Sequence, residues 1–118
     1  MNITSSSINL EYLRLMADND EELVQTMLVM LLEELPDEFE KIKMLHQSGD
    51  WEELGQVSHK MKSTLAFVGN KEMINANKEI EYLAKNNLDV HRINRLIATL
   101  EQYFPIVVQE LKQACQSC

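Results

Sequence analysis

One histidine lies where it can do chemistry. It sits in the run His59-Lys60-Met61-Lys62-Ser63-Thr64-Leu65-Ala66-Phe67-Val68-Gly69. On a helix turning about 100° per residue, Gly55, Lys62, Ser63 and Ala66 fall within about 60° of His59. Leu54, Val57, Met61, Leu65 and Val68 fall on the far side, which is the pattern of a helix laid against a core. The imidazole is therefore expected to face water among small side chains, open to close approach by another protein. A neutral imidazole is a good nucleophile toward phosphorus, and the phosphoramidate it forms passes its phosphoryl group on readily. A shuttle of that kind needs no nucleotide site, and the chain has no Gly-rich loop followed by Lys-Ser or Lys-Thr.

The elements that would position this residue are all helical. Asn9 is expected to cap a short helix through Ala17. Asn19 with Glu22 forms a capping-box pattern opening a long helix with Leu23, Met27, Leu31, Leu35, Phe39, Ile42 and Leu45 inward and a bend at Pro36. Gly49 stops it. Asp50 with Glu53 starts the helix of His59, which runs to about Val68 before the Gly69-Asn70 turn. A fourth helix spans about Lys71 to Lys85 with Met73, Asn77, Ile80 and Ala84 inward. Asp89 caps a last one carrying Ile93, Leu96, Ile97, Leu100, Phe104, Val107, Val108 and Leu111, with a bend at Pro105. Short connections make neighbours antiparallel, so the fold expected is an all-α, up-down four-helix bundle with a short additional N-terminal helix. Residues 1–7 read as a flexible segment, 8–114 as the bundle and 115–118 as a frayed tail. Most of the seven methionines read as core filling.

Composition narrows the function classes. With 118 residues and 45% hydrophobic content the chain can bury one core without metals or disulfides. No apolar run approaches a membrane span and no signal peptide precedes residue 8, so a cytoplasmic protein without membrane insertion is expected. The net charge of −8 is uneven: residues 1–55 carry 13 acids against 3 bases, whereas residues 56–85 carry 3 acids against 5 bases. Without an extended basic surface, nucleic acid is not an expected partner. The local lysine excess surrounds His59 instead, where it can orient an acidic partner site. Cys115 and Cys118 lack the helix amino terminus or further ligands that a redox or metal role needs, and free thiols are expected.

Other chemistries fit less well. A structural histidine belongs on the apolar stripe, a position His46 and His91 suit better. Metal bundles want Glu-x-x-His or His-Glu-x-x-His, which are absent. A kinase dimerisation helix usually follows its histidine with an acid, where Lys60 stands here. Hydrolase triads need loops that this chain lacks.

The run from His59 to Gly69 resembles the signature of histidine-containing phosphotransfer (HPt) domains, His-x-Leu-Lys-Gly with a glycine ten residues after the histidine. His59, Lys62 and Gly69 match in register; Met61 replaces the leucine and Ser63 the first glycine. The resemblance extends from about Ile8 to Lys85, including an acidic, proline-containing helix before Gly49-Asp50-Trp51. It implies a phosphoryl carrier without an ATP site of its own. His59 would accept the group on Nε2 from an aspartate of a receiver domain, in a response regulator or hybrid histidine kinase, and return it. No cofactor is implied for this chain, Mg2+ being brought by the receiver. Lys62 would offset phosphoryl charge, Lys60 flank the site, Ser63 donate a hydrogen bond and Glu81 hold Nδ1. Gly55, Ala66 and Gly69 would form the docking surface of a monomer. The alternative is a non-phosphorylated helical adaptor that docks a receiver-like partner.

Overall fold

The computed structural model describes residues 6–116. Five helices follow one another: α1 (Glu11–Met16), α2 (Glu21–Ser48), α3 (Trp51–Val68), α4 (Lys71–Lys85) and α5 (Val90–Ala114). Side-chain caps begin the four long ones. Asp50 accepts from the Glu53 N–H, Asn70 from Met73 and Asp89 from Arg92, each satisfying an amide that the helix leaves unpaired. At α2 the cap is Asp20, accepting from Glu22 and Leu23, and not the expected Asn19, whose left-handed φ of 57° belongs to the preceding turn. α1 has no side-chain cap at Leu10; Asn9 instead accepts from the Glu11 N–H. Both prolines sit inside continuous helices, each removing one backbone hydrogen bond.

α2 to α5 form an up-down bundle. α3 packs between α2 and α4, α5 closes the ring against α4 and α2, and α1 rests on α3 and α2. Leu28, Leu35, Ile42, Leu54, Met61, Leu65, Ile80, Leu100 and Leu111 are fully buried at the centre. Phe39 of α2 stacks on Phe104 of α5 at 4.7 Å. Along the first turns of α2 the inward face is Val24 and Leu28, with the expected Leu23 exposed and Met27 partly buried. At about 100° per residue Val24 and Leu28 line up with Leu35 and Ile42, whereas four-residue steps back to Met27 and Leu23 drift off that stripe. The methionines also divide differently from expectation. Met61 and Met73 are core, whereas Met16, Met30 and Met44 are exposed.

Polar side chains hold both ends of the described chain. Glu110 accepts from the Ser6 hydroxyl and from the Ser7 and Ile8 amides. Gln25 donates to the Ala114 carbonyl and accepts from the Gln116 N–H. Cys115 is thus not frayed: it is 5% exposed, caps α5 and is disulfide-bonded, not a free thiol. The remaining parts of the two terminal segments, residues 1–5 and 117–118, with Cys118, lie outside the described residues.

Gly49 and Gly69 both end helices at φ 77°. A Cβ at Gly49 would meet nothing within 4 Å, but one at Gly69 would run into the Asn9 carbonyl oxygen, because Asn9 donates its N–H to Val68 there. Gly69 is therefore a packing site between the N-terminal segment and the α3–α4 turn. It is not part of an open docking surface. Gly49→Ala should cost about 1 kcal/mol from left-handed strain alone, and Gly69→Ala at least about 2 kcal/mol more. Urea unfolding of the two variants checks the difference; equal losses would show that the segment at Asn9 yields freely.

Candidate functional site

The middle of α3 is keyed to α4 by a buried polar pair. The Ser58 hydroxyl donates toward the Asn77 side-chain oxygen at 2.6 Å, with the Asn77 backbone carbonyl at 3.0 Å, and Asn77 Nδ2 donates to the Ser58 carbonyl at 2.9 Å. Both residues are buried, and satisfied groups of this kind are costly to unpair. Asn77 was legible as an inward residue. Ser58 was not, although it falls between Leu54 and Met61 on the same helical stripe, because its hydroxyl breaks the apolar pattern.

One residue beyond Ser58 and one turn beyond Asn77, His59 meets Glu81. Nδ1 lies 2.7 Å from Glu81 Oε2, and the same oxygen accepts from Lys85 Nζ at 2.8 Å. The His59 side chain is 57% exposed, while that of Glu81 is 14% exposed. Burial pushes the Glu81 carboxyl up, but the hydrogen bonds and charges of Lys85 and His59 outweigh it, leaving the group below its ordinary value of 4.5. Glu81 is thus a lasting anion. An anion at Nδ1 favours the tautomer of a neutral imidazole that donates from Nδ1 and leaves its lone pair on Nε2.

On the other flank, His59, Lys60, Ser63 and Thr64 share a groove with Glu34, Asp37, Glu38 and Lys41 of α2. Lys60, Lys62 and Ser63 are exposed and Ala66 is half-buried. Gly55 departs from expectation. It is buried at the α3–α4 contact, where a Cβ would lie 2.9 Å from Lys85 Cγ, so it belongs to helix packing and not to a docking face. Glu38 is the residue that sequence reasoning missed: its Oε1 is buried without a partner, and burial raises its carboxyl above 4.5, reinforced by Glu34 and Asp37 and only partly offset by Thr64 and Lys60. His46 packs near Trp51 at 6.0 Å, whereas His91 is exposed and not on the apolar stripe. Among the described residues no group of three or more His, Cys, Asp or Glu could hold a metal ion, and no helix is long and apolar enough to cross a membrane.

Comparison with known proteins gives the family and the fold. The family described as the Hpt domain matches residues 26–117. A crystal structure of the HPT domain from the Hpt sensor hybrid histidine kinase from Shewanella superposes with a TM-score of 0.72 at 24% identity, covering 95% of this chain and 96% of that one. That likeness speaks for the fold. No curated protein matches the chain.

The raised Glu38 carboxyl has a consequence for stability. Its folded form holds a proton more tightly than the unfolded chain does, so the penalty of ionising it is absent below about pH 4.5 and appears as pH rises through the folded value. Glu38→Gln should therefore raise the thermal midpoint by about 1–3 °C near pH 7 and leave it unchanged near pH 4. Melting curves at the two pH values check this, and a gain of equal size at both would remove ionisation as its cause.

Proposed function

Because the chain belongs to the Hpt domain family, the phosphotransfer modules of two-component systems, we propose that it carries a phosphoryl group on His59. It takes the group from, and returns it to, an aspartate of a receiver domain in a response regulator or hybrid histidine kinase. The observation that carries this reading is the pairing of an exposed His59 with a shielded Glu81 anion at Nδ1. The contact selects the tautomer in which Nε2 is the nucleophile.

In the proposed step, the Nε2 lone pair attacks phosphorus of the aspartyl phosphate. A P–N bond forms as the P–O bond to the aspartate breaks, and the aspartate leaves as a carboxylate. The ring gains positive charge as the bond forms, and Glu81 stabilises it from the opposite edge. Lys62, one helical turn from His59, offsets charge on the phosphoryl oxygens; Ser63 donates a hydrogen bond to one of them, and Lys60 flanks the approach. Mg2+ belongs to the receiver, where it balances the same charge. This chain supplies position and electrostatics as a monomeric, cytoplasmic carrier without kinase activity. Ser63, Lys60, Lys62 and half-buried Ala66 form the surface left for docking once Gly55 and Gly69 are assigned to packing.

His59→Gln should keep its fold, because an exposed substitution costs within about 0.5 kcal/mol, and should take no label from a phosphorylated receiver. An acid-labile, alkali-stable label on the parent that is lost only in this variant supports the site. A parent that binds the receiver but never takes label would instead be the adaptor. Lys62→Ala should slow transfer about three- to tenfold and Lys60→Ala less, since Lys62 is nearer around the helix. Rapid-quench transfer rates rank them. A parent-like rate for Lys62→Ala would mean that the receiver alone balances the phosphoryl charge.

A further inference from the structure

Glu81 is shared, and the sharing singles out a residue that the sequence signature does not contain. Its Oε2 accepts from His59 Nδ1 and, at 2.8 Å, from Lys85 Nζ, one helical turn further along α4. Lys85 is itself placed by α3, because its stem crosses Gly55 so closely that a methyl group there would stand 2.9 Å from Cγ. The two helices thus form a closed circuit. Gly55 of α3 leaves room for Lys85 of α4, Lys85 fixes the carboxylate of Glu81, and Glu81 returns to His59 on α3, one turn after Gly55.

We propose that Lys85, seated over Gly55, is a positioning residue for the phosphoacceptor: it holds the Glu81 carboxylate in the rotamer that meets His59 Nδ1 and thereby fixes the ring's tautomer. The inference rests on the phosphoacceptor reading of His59 and extends it to residues that never touch the imidazole.

A glutamate has three torsions, and one hydrogen bond to a half-exposed ring does not define them. A second bond to the same oxygen from the same helix removes much of that freedom before any partner arrives, which is where pre-organisation gains its effect. Other charges border the circuit. Glu52 of α3 lines the hollow that contains Lys85, so a displaced ammonium has a second carboxylate within its surroundings. On the far side of His59, Glu34, Asp37, Glu38 and Lys41 of α2 and Lys60 of α3 line the groove. These groups add field without a hydrogen bond to the ring, whereas the Lys85 bond ends on the atom that holds it. Because Gly55 is the seat, its side-chain size governs the circuit from a distance, which a docking role for the same residue would not require.

The test combines ring nitrogen NMR with transfer kinetics on the intact protein. At about pH 9, above the ordinary imidazole range, the nitrogen shifts of His59 should report a Nδ1–H tautomer in the parent. Lys85→Met keeps the stem and removes the ammonium; it should give a mixture of tautomers and about tenfold slower phosphate uptake from a phosphorylated receiver, the scale on which orienting contacts act on functional imidazoles. Lys85→Arg, which can still reach the carboxylate, should restore both. Lys78→Met, which removes an equal charge from the exposed side of α4, should leave the tautomer unchanged. Gly55→Ala should imitate Lys85→Met, and combining the two should add nothing further. A parent-like tautomer or uptake rate in Lys85→Met overturns the proposal, as does a Lys78→Met effect of equal size, and a parent-like Gly55→Ala overturns the seat. Lys85→Met alone decides if Gly55→Ala does not fold by circular dichroism. A parent that takes no label refutes the carrier reading instead, and the tautomer measurement then still decides the role of Lys85.

Discussion

The site depends on the register between α3 and α4, and that register is fixed by the Ser58–Asn77 pair. Apolar contacts alone permit two helices to slide by small amounts with little loss, because leucines and methionines repack. A buried amide and hydroxyl that satisfy each other and two backbone carbonyls do not permit it. Sliding by a fraction of a turn would strand several polar atoms in the core at once. His59 follows Ser58 directly and Glu81 follows Asn77 by one turn, so the pair that excludes sliding also sets the 2.7 Å separation of imidazole and carboxylate. Specificity of alignment is the contribution of the polar core here, while the surrounding hydrophobic residues supply the drive to fold.

Charge is arranged with equal economy. α2 carries seven of the 19 acids, and two carboxyls on opposite flanks of His59 behave in opposite senses. Glu81 is drawn below the ordinary glutamate range by cations that touch it, and Glu38 is driven above that range by burial without an adequate partner. One anion is therefore dependable and faces the ring edge that must stay protonated. The other is reluctant to ionise and faces the groove on the opposite flank. Had their environments been exchanged, Nδ1 would have lost its strong acceptor.

Much of this was legible in the residues. Exposure of His59 followed from the 3.6-residue period of Leu54, Met61, Leu65 and Val68, the helix limits at Gly49, Asp50 and Asp89 followed from capping chemistry, and Gly69-Asn70 was legible as a turn though not Asn70 as a cap. Glu81 was legible as a candidate because it lies beside the apolar stripe of the following helix. What the sequence hid was whatever depends on two elements meeting. Gly55 is on the same wheel face as His59, but the wheel of α3 cannot show that Lys85 of α4 crosses it. Gly69 carried a turn signal, and nothing in its neighbours revealed Asn9 lying against it. Glu38 reads as one acid among many on α2 until α3 covers it. The inward face of early α2 lies at Val24 and Leu28 because steps of four residues back from Leu31 drift off a 3.6-residue stripe. Cys115 looked free to fray, since the bonds that hold the chain there come from Gln25, ninety positions away in sequence.

The two polar clasps at the ends of the described chain give the bundle a mechanical asymmetry. Glu110 grips residues 6–8, Gln25 grips Ala114 and Gln116, and both clasps lie at the pole where α2 begins and α5 ends. Tension applied through either end is borne there, by shear across α2, α5 and the α3–α4 turn. The Ser58–Asn77 joint stands about 15 Å away along the helix axis, counting 1.5 Å for each residue from Val68 back to Ser58. A pull at the ends thus loads one pole of the bundle and leaves the joint that aligns the imidazole out of the line of force.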